Sequence, residues 1–283
     1  MHISSLVPFG IWLLIFLLVY PDGIVAQSVP QLVQSTATII AFPTFSHKGQ
    51  FWIEPVTGMA FIWVPEGCYF MSCGSSEIYA DERYVHKVCL DGFWLGKYEV
   101  TQGQWQMIMG DNPSFFKKGD SYPVENVSWV QAKAFLARLT ERLGIDGWLG
   151  LPTEAEWEYA CRESGSYMNY SGGENANALA WFKDNAGGTT HPVGTRAPNA
   201  LGLYDMSGNV WEWIEDAYDK DAYEKHQLHN PLHEDGSRYR VLRSGSWNFR
   251  EQDIKCCFRS FSDKENGVGA LGFRAVLRPT RQQ

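Results

Sequence analysis

Apolar and polar residues alternate in short runs along most of this 283-residue chain, and three segments follow a helical spacing instead. The run MAFIWVPEGCYFMS, residues 59–72, groups apolar and aromatic residues in stretches broken by Pro65 and Gly67, which predicts strands. HKVCLDGFWLGKYEV, residues 86–100, predicts another strand pair. Residues 165–278 read as turns and short strands, so we expect few regular elements and many loops.

Each helical segment starts at a capping box, in which Ser or Thr is followed three residues later by Gln or Glu. The three boxes are Thr101–Gln104, Ser128–Gln131 and Thr153–Glu156. The first predicts a short helix through Met109, and the second a longer helix that stops at Gly144. The third opens the segment TEAEWEYACRE.

The first 26 residues have the pattern of a targeting segment. Residues 6–20, LVPFGIWLLIFLLVY, are apolar but short for a spanning helix, and Ala26 offers a small residue for cleavage. Only His2 precedes the run in place of Lys or Arg, so an uncleaved N-terminal anchor is the alternative. We predict a signal peptide or anchor over residues 1–26 and an exported body, periplasmic or secreted.

The composition of the residues that follow this segment predicts one large domain. Residues 27–50 are polar with one apolar patch, TIIAF, and read as a linker or edge segment, so the domain spans residues 51–283. Twelve Trp and 27 Gly indicate a loop-rich fold pinned by aromatic anchors. A net charge of -8 without a basic stripe excludes a nucleic-acid partner. Membrane contact is expected only through an uncleaved N-terminal segment.

Several long motifs of this chain resemble the formylglycine-generating enzyme, or sulfatase-modifying factor, family. The resemblance implies a single α+β domain, a loop-rich, C-type-lectin-like variant of the formylglycine-generating enzyme fold. The founding enzymes oxidise a sulfatase cysteine to formylglycine with oxygen and copper held by two thiols. The motifs are YEVTQGQW, PVENVSW, LPTEAEWEYACR, GLYDMSGNVWEW, RVLRSGSW and GFRAVLRP.

The resemblance places the two copper thiols at positions that hold Phe249 and Ile254 here. Neither side chain can bind Cu(I), which needs thiolate or thioether ligands, so copper is not expected. Ser246 matches the family's active-site serine. The catalytic residues stay unknown, and the candidate pocket comprises Ser246, Trp247, Arg250 and Trp211.

Six cysteines in an exported chain favour disulfides, and none lies in a CxxC motif. The resemblance implies a Cys161–Cys256 bond. Cys68 and Cys89, on neighbouring predicted strands, are the most plausible further pair, and the partners of Cys73 and Cys257 stay open. A reactive pair at Cys256 and Cys257 is the alternative, although neither a base nor a helix N-terminus is visible beside it.

DMSGNVWE is the best candidate ligand loop. A tight turn that mixes carboxylates with carbonyls suits calcium, and the resemblance implies ligands at Asp205, Gly208, Val210 and Glu212. The alternative is a hydrogen-bonded turn without metal. For a second family calcium site, Asn185 is a weak substitute.

Two other polar groups allow more than one interpretation. His226, His229 and His233 form a metal site or a solvated loop, and Pro231 argues against their alignment on a helix. The scaffold prediction has Glu99 and Thr101 fixing a strand-to-helix corner. It also pairs two arginines with buried acids. These are Arg259 and Arg274, paired with buried acids such as Glu154, Glu156 or Glu158.

These observations leave three functional hypotheses. The first is a divergent oxidoreductase, or a protein- or metabolite-modifying enzyme, that lacks the copper thiols. The second is a non-catalytic protein that binds a ligand or partner on a calcium-braced, lectin-like scaffold. The third is a structural subunit of an envelope complex. The partner or substrate, whether protein, peptide or small molecule, stays unknown.

Overall fold

In the part of the chain that the structure describes, the strands form three sheets, and the helices lie in the segments between them. The computed structural model describes residues 48–73, 84–145 and 147–279, so the predicted targeting segment and residues 27–47 lie outside the described residues. The strands are β1 (Phe51–Ile53), β2 (Ala60–Val64), β3 (Gly67–Met71), β4 (His86–Leu90), β5 (Phe93–Gly96), β6 (Gly147–Gly150), β7 (Trp211–Ala217), β8 (Tyr239–Arg243), β9 (Ser260–Asp263), β10 (Leu271–Gly272) and β11 (Val276–Pro279). The helices are α1 (Gln102–Met109), α2 (Trp129–Leu143), α3 (Glu154–Cys161), α4 (Ala176–Leu179) and α5 (Ala222–Lys225).

The largest sheet is antiparallel and has the order β1-β2-β5-β11-β6. Its interior strand β11 comes from the C-terminal part of the chain and pairs Val276 with Leu95 on one side and with Gly150 on the other. A second sheet has the order β10-β7-β8-β9, and β3 and β4 form a hairpin. These sheets and the loops between them form an α+β architecture, as predicted.

All three predicted helices are present with their capping boxes. Thr101, Ser128 and Thr153 each accept a hydrogen bond from the backbone N–H three residues on, and the Gln or Glu there bonds back. Gly144 ends α2 in the left-handed conformation with φ 59°. Trp105 of α1 stacks on Phe135 of α2, with ring centroids 5.4 Å apart.

Buried ion pairs join α3 to the second sheet. Arg259 binds both carboxylate oxygens of Glu154 at 2.9 Å, as predicted for this arginine. Arg243 also contacts Glu154, and it donates to Glu158 at 2.5 Å. Arg274 also pairs with a buried acid, but its partner is Glu212 and not one of the three glutamates given as examples.

All six cysteines form disulfides. Cys68–Cys89 joins β3 to β4, and Cys161–Cys256 joins α3 to the loop after β8, as predicted. Cys257 bonds to Cys73, a pairing that the sequence left open. The reactive vicinal pair is therefore absent, since no cysteine is free. Among the described residues, no helix is long and apolar enough to cross a membrane.

Candidate functional site

The loop after β8 carries the residues that the sequence singled out, and its backbone turns sharply where it begins. Ser244 and Gly245 both have positive φ, at 84° and 70°. A Cβ on Gly245 would lie 2.5 Å from the carbonyl oxygen of Asp253, so only glycine fits here. This close approach folds the loop back on itself and turns Ser246 inward.

The predicted pocket residues do not line one open cleft. Ser246 is fully buried, and its hydroxyl donates to the side-chain oxygen of Asn248 at 2.7 Å. Trp211 is also buried, whereas Trp247 is half-buried. Arg250 points outward and pairs with Asp253 at 3.1 Å. Ser246 and Trp211 therefore lie beneath the surface that Trp247 reaches.

Hydrocarbon side chains occupy the two positions that the resemblance assigns to copper thiols. Phe249 packs edge-on against Trp211, with ring centroids 5.0 Å apart. Ile254 is fully buried in the cluster that Phe249 covers. Since all six cysteine sulfurs are in disulfides, the chain has no thiolate to offer Cu(I) at this place.

An apolar patch covers this loop, and we call Phe115, Phe116, Trp247 and Val268 the aromatic face. Phe116 meets Trp247 edge-on at 5.3 Å and Phe115 at 4.9 Å. The side chains of Phe115 and Val268 are 74% and 52% exposed. The indole N–H of Trp247 donates to the Gly269 carbonyl at 3.2 Å, which fixes the ring. The aromatic face therefore combines an exposed ring, that of Phe115, with a ring that is held in place, that of Trp247.

A buried carboxyl group beneath the aromatic face was missed by sequence reasoning. One oxygen of Glu125 accepts the backbone N–H of Phe116 at 2.7 Å, and the other is buried without a hydrogen-bond partner among the described residues. Burial raises the pKa of this carboxyl group. The only sequence signal was its place in the motif PVENVSW.

The predicted calcium loop comes together around buried acids. Asp205 has positive φ, 55°, and one of its carboxylate oxygens accepts the Gly194 N–H at 2.6 Å. Its other oxygen is buried without a hydrogen-bond partner among the described residues, which fits a cation ligand. The Gly208 carbonyl accepts the Ser244 hydroxyl at 3.0 Å and has a lone pair left.

Glu212 fits calcium less well than Asp205. Its carboxylate accepts two hydrogen bonds from Arg274, at 2.6 and 2.7 Å, and one from the Trp157 indole at 2.7 Å. The guanidinium therefore already neutralises it. Glu99 instead braces this loop, because its oxygens accept the Val210 N–H and the Asn209 amide. Calcium stays a prediction that rests on Asp205.

The remaining polar candidates are dispersed. His226 pairs with His86 at 3.0 Å, His229 is exposed, and His233 lies beside two aspartates, so the three histidines do not form one metal site. The Asn185 side chain accepts the Phe182 N–H and donates to the Ala180 carbonyl. It caps a turn, and its amide oxygen is already hydrogen-bonded.

Comparisons with known proteins give a consistent result. The model of the sulfatase-modifying factor enzyme 1-like domain matches residues 50–279. The chaperone protein LppX of Paenibacillus barcinonensis is 35% identical over 263 residues, covering 75% of this chain and 87% of that protein. The formylglycine-generating enzyme of Mus musculus is 29% identical over 214 residues, covering 69% and 54%. Hercynine oxygenase of Mycobacterium tuberculosis is 28% identical over 234 residues, covering 64% and 51%.

Solved structures share the fold. Treponema denticola variable protein 1 superposes with a TM-score of 0.72 at 26% identity, covering 81% of this chain and 99% of that one. PvdO from Pseudomonas aeruginosa has a TM-score of 0.73 at 22% identity, covering 83% and 100%. The match spans about half the length of the two enzymes but most of LppX.

Proposed function

The chain belongs to the sulfatase-modifying factor family, and we propose that it acts there as an exported protein that binds polypeptide segments rather than as a copper oxidase. One observation carries this proposal. Phe249 and Ile254 fill the positions that the resemblance assigns to the copper thiols, and both pack into apolar clusters. The family scaffold is thus retained, while the place of its oxidative chemistry has become apolar packing.

The aromatic face supports a binding role because its exposed area is apolar and its rings are held in place. Contiguous apolar groups on a protein surface mark interaction sites, and rigid aromatic side chains bind at low entropic cost. Phe115 is exposed, and Trp247 is locked by its bond to Gly269. An extended polypeptide with aromatic or aliphatic side chains matches this chemistry.

Two further observations agree with this role. LppX, which the match covers over 87% of its length, is named a chaperone protein. Three disulfides suit an oxidising compartment outside the cytoplasm, in line with the targeting segment predicted at the N-terminus. A chaperone-like protein of the periplasm or of the exterior would meet exported polypeptides before they fold.

The test measures binding to a permanently unfolded polypeptide, reduced and carboxymethylated α-lactalbumin, by fluorescence anisotropy. Truncating one aromatic anchor at an interface weakens binding by about tenfold, so we expect that loss for Phe115→Ser and for Trp247→Ala. Phe70→Ser is the matched control, because Phe70 of β3 is 65% exposed and lies outside the aromatic face. Equal binding by all four proteins, or none by the wild type, would refute the proposal.

A second candidate function is a modifying enzyme that works without copper thiols. Glu125 favours it, because a buried carboxyl group with a raised pKa and an unpartnered oxygen can serve as a general acid or base. The named activities of the formylglycine-generating enzyme and of hercynine oxygenase are consistent with such chemistry in this family. Conversion of hercynine in the presence of oxygen, found with the wild type and lost in Glu125→Gln, would support this candidate over binding alone.

A further inference from the structure

We propose that Asp219, His233 and Asp235 form a binding site for a divalent transition metal ion of the zinc class, beside a small cavity that His233 lines. Among the described residues, these three form one group in which a ligand atom from each side chain lies within 4.8 Å of the others. A binding role at the aromatic face neither requires nor excludes this site.

The distances between the three side chains suit a shared metal ion. The ring Nε2 of His233 lies 3.6 Å from an Asp219 oxygen and 3.4 Å from an Asp235 oxygen. Zinc held at about 2.0–2.2 Å by nitrogen and oxygen in a tetrahedral site separates its ligands by about 3.3–3.6 Å. Nε2 is also buried without a hydrogen-bond partner among the described residues.

The backbone around the cluster holds each ligand in place. His233 donates its N–H to Asp216 at 3.1 Å, and its carbonyl accepts the Ala217 N–H at 2.9 Å. One oxygen of Asp219 accepts the Asp221 N–H at 2.9 Å, and one oxygen of Asp235 accepts the Ser237 N–H at 2.8 Å. The other oxygen of each aspartate is the one that faces His233. Such hydrogen bonds orient metal ligands and tune affinity.

A cavity gives the site an open side. Its volume is about 180 Å³, and it is lined by His226 and His233 among other residues of the loop from Lys225 to His233. Nε2 of His226 is also buried and lacks a hydrogen-bond partner among the described residues. Three protein ligands beside a cavity leave one coordination position for water or for an exogenous ligand.

The ligand set selects among metals. One imidazole with two carboxylates suits zinc or manganese, whereas calcium needs six to eight oxygens. The ammonium of Lys225 contacts the Asp219 oxygen that faces His233, and it would compete with the cation. Lys225 is largely exposed on a flexible side chain, so a metal can displace it.

The test uses isothermal titration calorimetry, in which ZnCl₂ is added at pH 7.5 to protein that a chelator has freed of metal. We expect one site per chain, weakened at least about tenfold by His233→Gln and by Asp235→Asn. His229→Gln is the matched control, since this exposed histidine of the same loop lies outside the cluster, and it should bind as the wild type does. Lys225→Met should bind more tightly because it removes the competing charge.

Three results would overturn the site. They are equal zinc affinity in wild type and His233→Gln, tighter binding of calcium than of zinc, and an X-ray absorption spectrum of the zinc complex with more than one imidazole. Circular dichroism checks that each variant folds. If His233→Gln unfolds, Asp235→Asn carries the comparison, because Asp235 is exposed and its loss removes one metal ligand.

Discussion

At the residue scale, the charge balance around Asp205 is unusual. Glu99, Asp205 and Glu212 are all buried, and Arg274 is the buried cation that faces them. Burial raises the pKa of Glu99 well above its ordinary value, and it raises the pKa of Asp205 to about 6. These shifts make the loop that holds Gly208 and Val210 sensitive to pH.

The raised pKa of Asp205 predicts a stability change with a definite sign. The folded protein holds this proton up to about pH 6, whereas the unfolded chain releases it near pH 3.8. Stability therefore falls as pH rises between these values. We predict that Asp205→Asn is more stable than wild type at pH 7 by about 1–3 kcal/mol and equal to it near pH 4, measured by urea unfolding without calcium.

Asparagine suits the position because it tolerates positive φ. Asp221→Asn, at a more exposed aspartate, is the control and should follow the wild-type profile. A parallel pH profile for wild type and Asp205→Asn would show that Asp205 does not carry this effect.

Calcium removal gives a separate prediction for the same side chain. If the unpartnered oxygen of Asp205 binds the ion, excess calcium raises the unfolding midpoint of the wild type at pH 7, and EDTA reverses the gain. Asp205→Asn should show a much smaller response, because it lacks the carboxylate charge. Identical calcium responses of the two proteins would exclude a calcium site at Asp205. Arg274 would then be the cation that balances Glu99, Asp205 and Glu212.

Some residues of the site could be predicted from sequence and others could not. Phe249 and Ile254 could be identified from the sequence, because a position without cysteine cannot supply a thiol ligand. Glu125 was missed, and Glu212 was not named as the partner of Arg274, because the environment of a buried charge is set by segments distant in sequence. The Glu212 pair of Arg274, for instance, joins residues 62 positions apart.

At the element scale, local signals succeeded and long-range pairing did not. The capping boxes predicted where α1, α2 and α3 begin, since each depends on four consecutive residues. The position of β11 between β5 and β6 could not be predicted. The sequence of a short strand does not specify a partner strand more than 100 residues away.

The capping box of α2 leads to a test at this scale. Removing an N-cap hydroxyl leaves a backbone N–H unsatisfied, so Ser128→Ala should lower the free energy of unfolding by about 1 kcal/mol. Ser166→Ala, at an exposed serine outside the helices, should change it by less than about 0.5 kcal/mol. Equal losses in urea titrations of the two variants would count against the cap.

At the scale of the whole molecule, three disulfides and the C-terminal strand hold a loop-rich chain together. Cys73–Cys257 closes a separation of 184 residues and Cys161–Cys256 one of 95. The fold class was predictable because the motifs of the family occur in the family's order along the chain. The binding surface was not, since Phe115 and Trp247 come together only in the folded structure.

The whole molecule keeps the family scaffold, and we expect it to lack copper–thiol oxidation. The most direct measurement incubates the purified protein with Cu(I), oxygen and a Cys-x-Pro-x-Arg peptide, and follows aldehyde formation by mass spectrometry. We predict no aldehyde and no copper held by thiolates, because Phe249 and Ile254 stand at the thiol positions and all six cysteines are bonded. Catalytic conversion of the peptide to its formylglycine form would contradict the account.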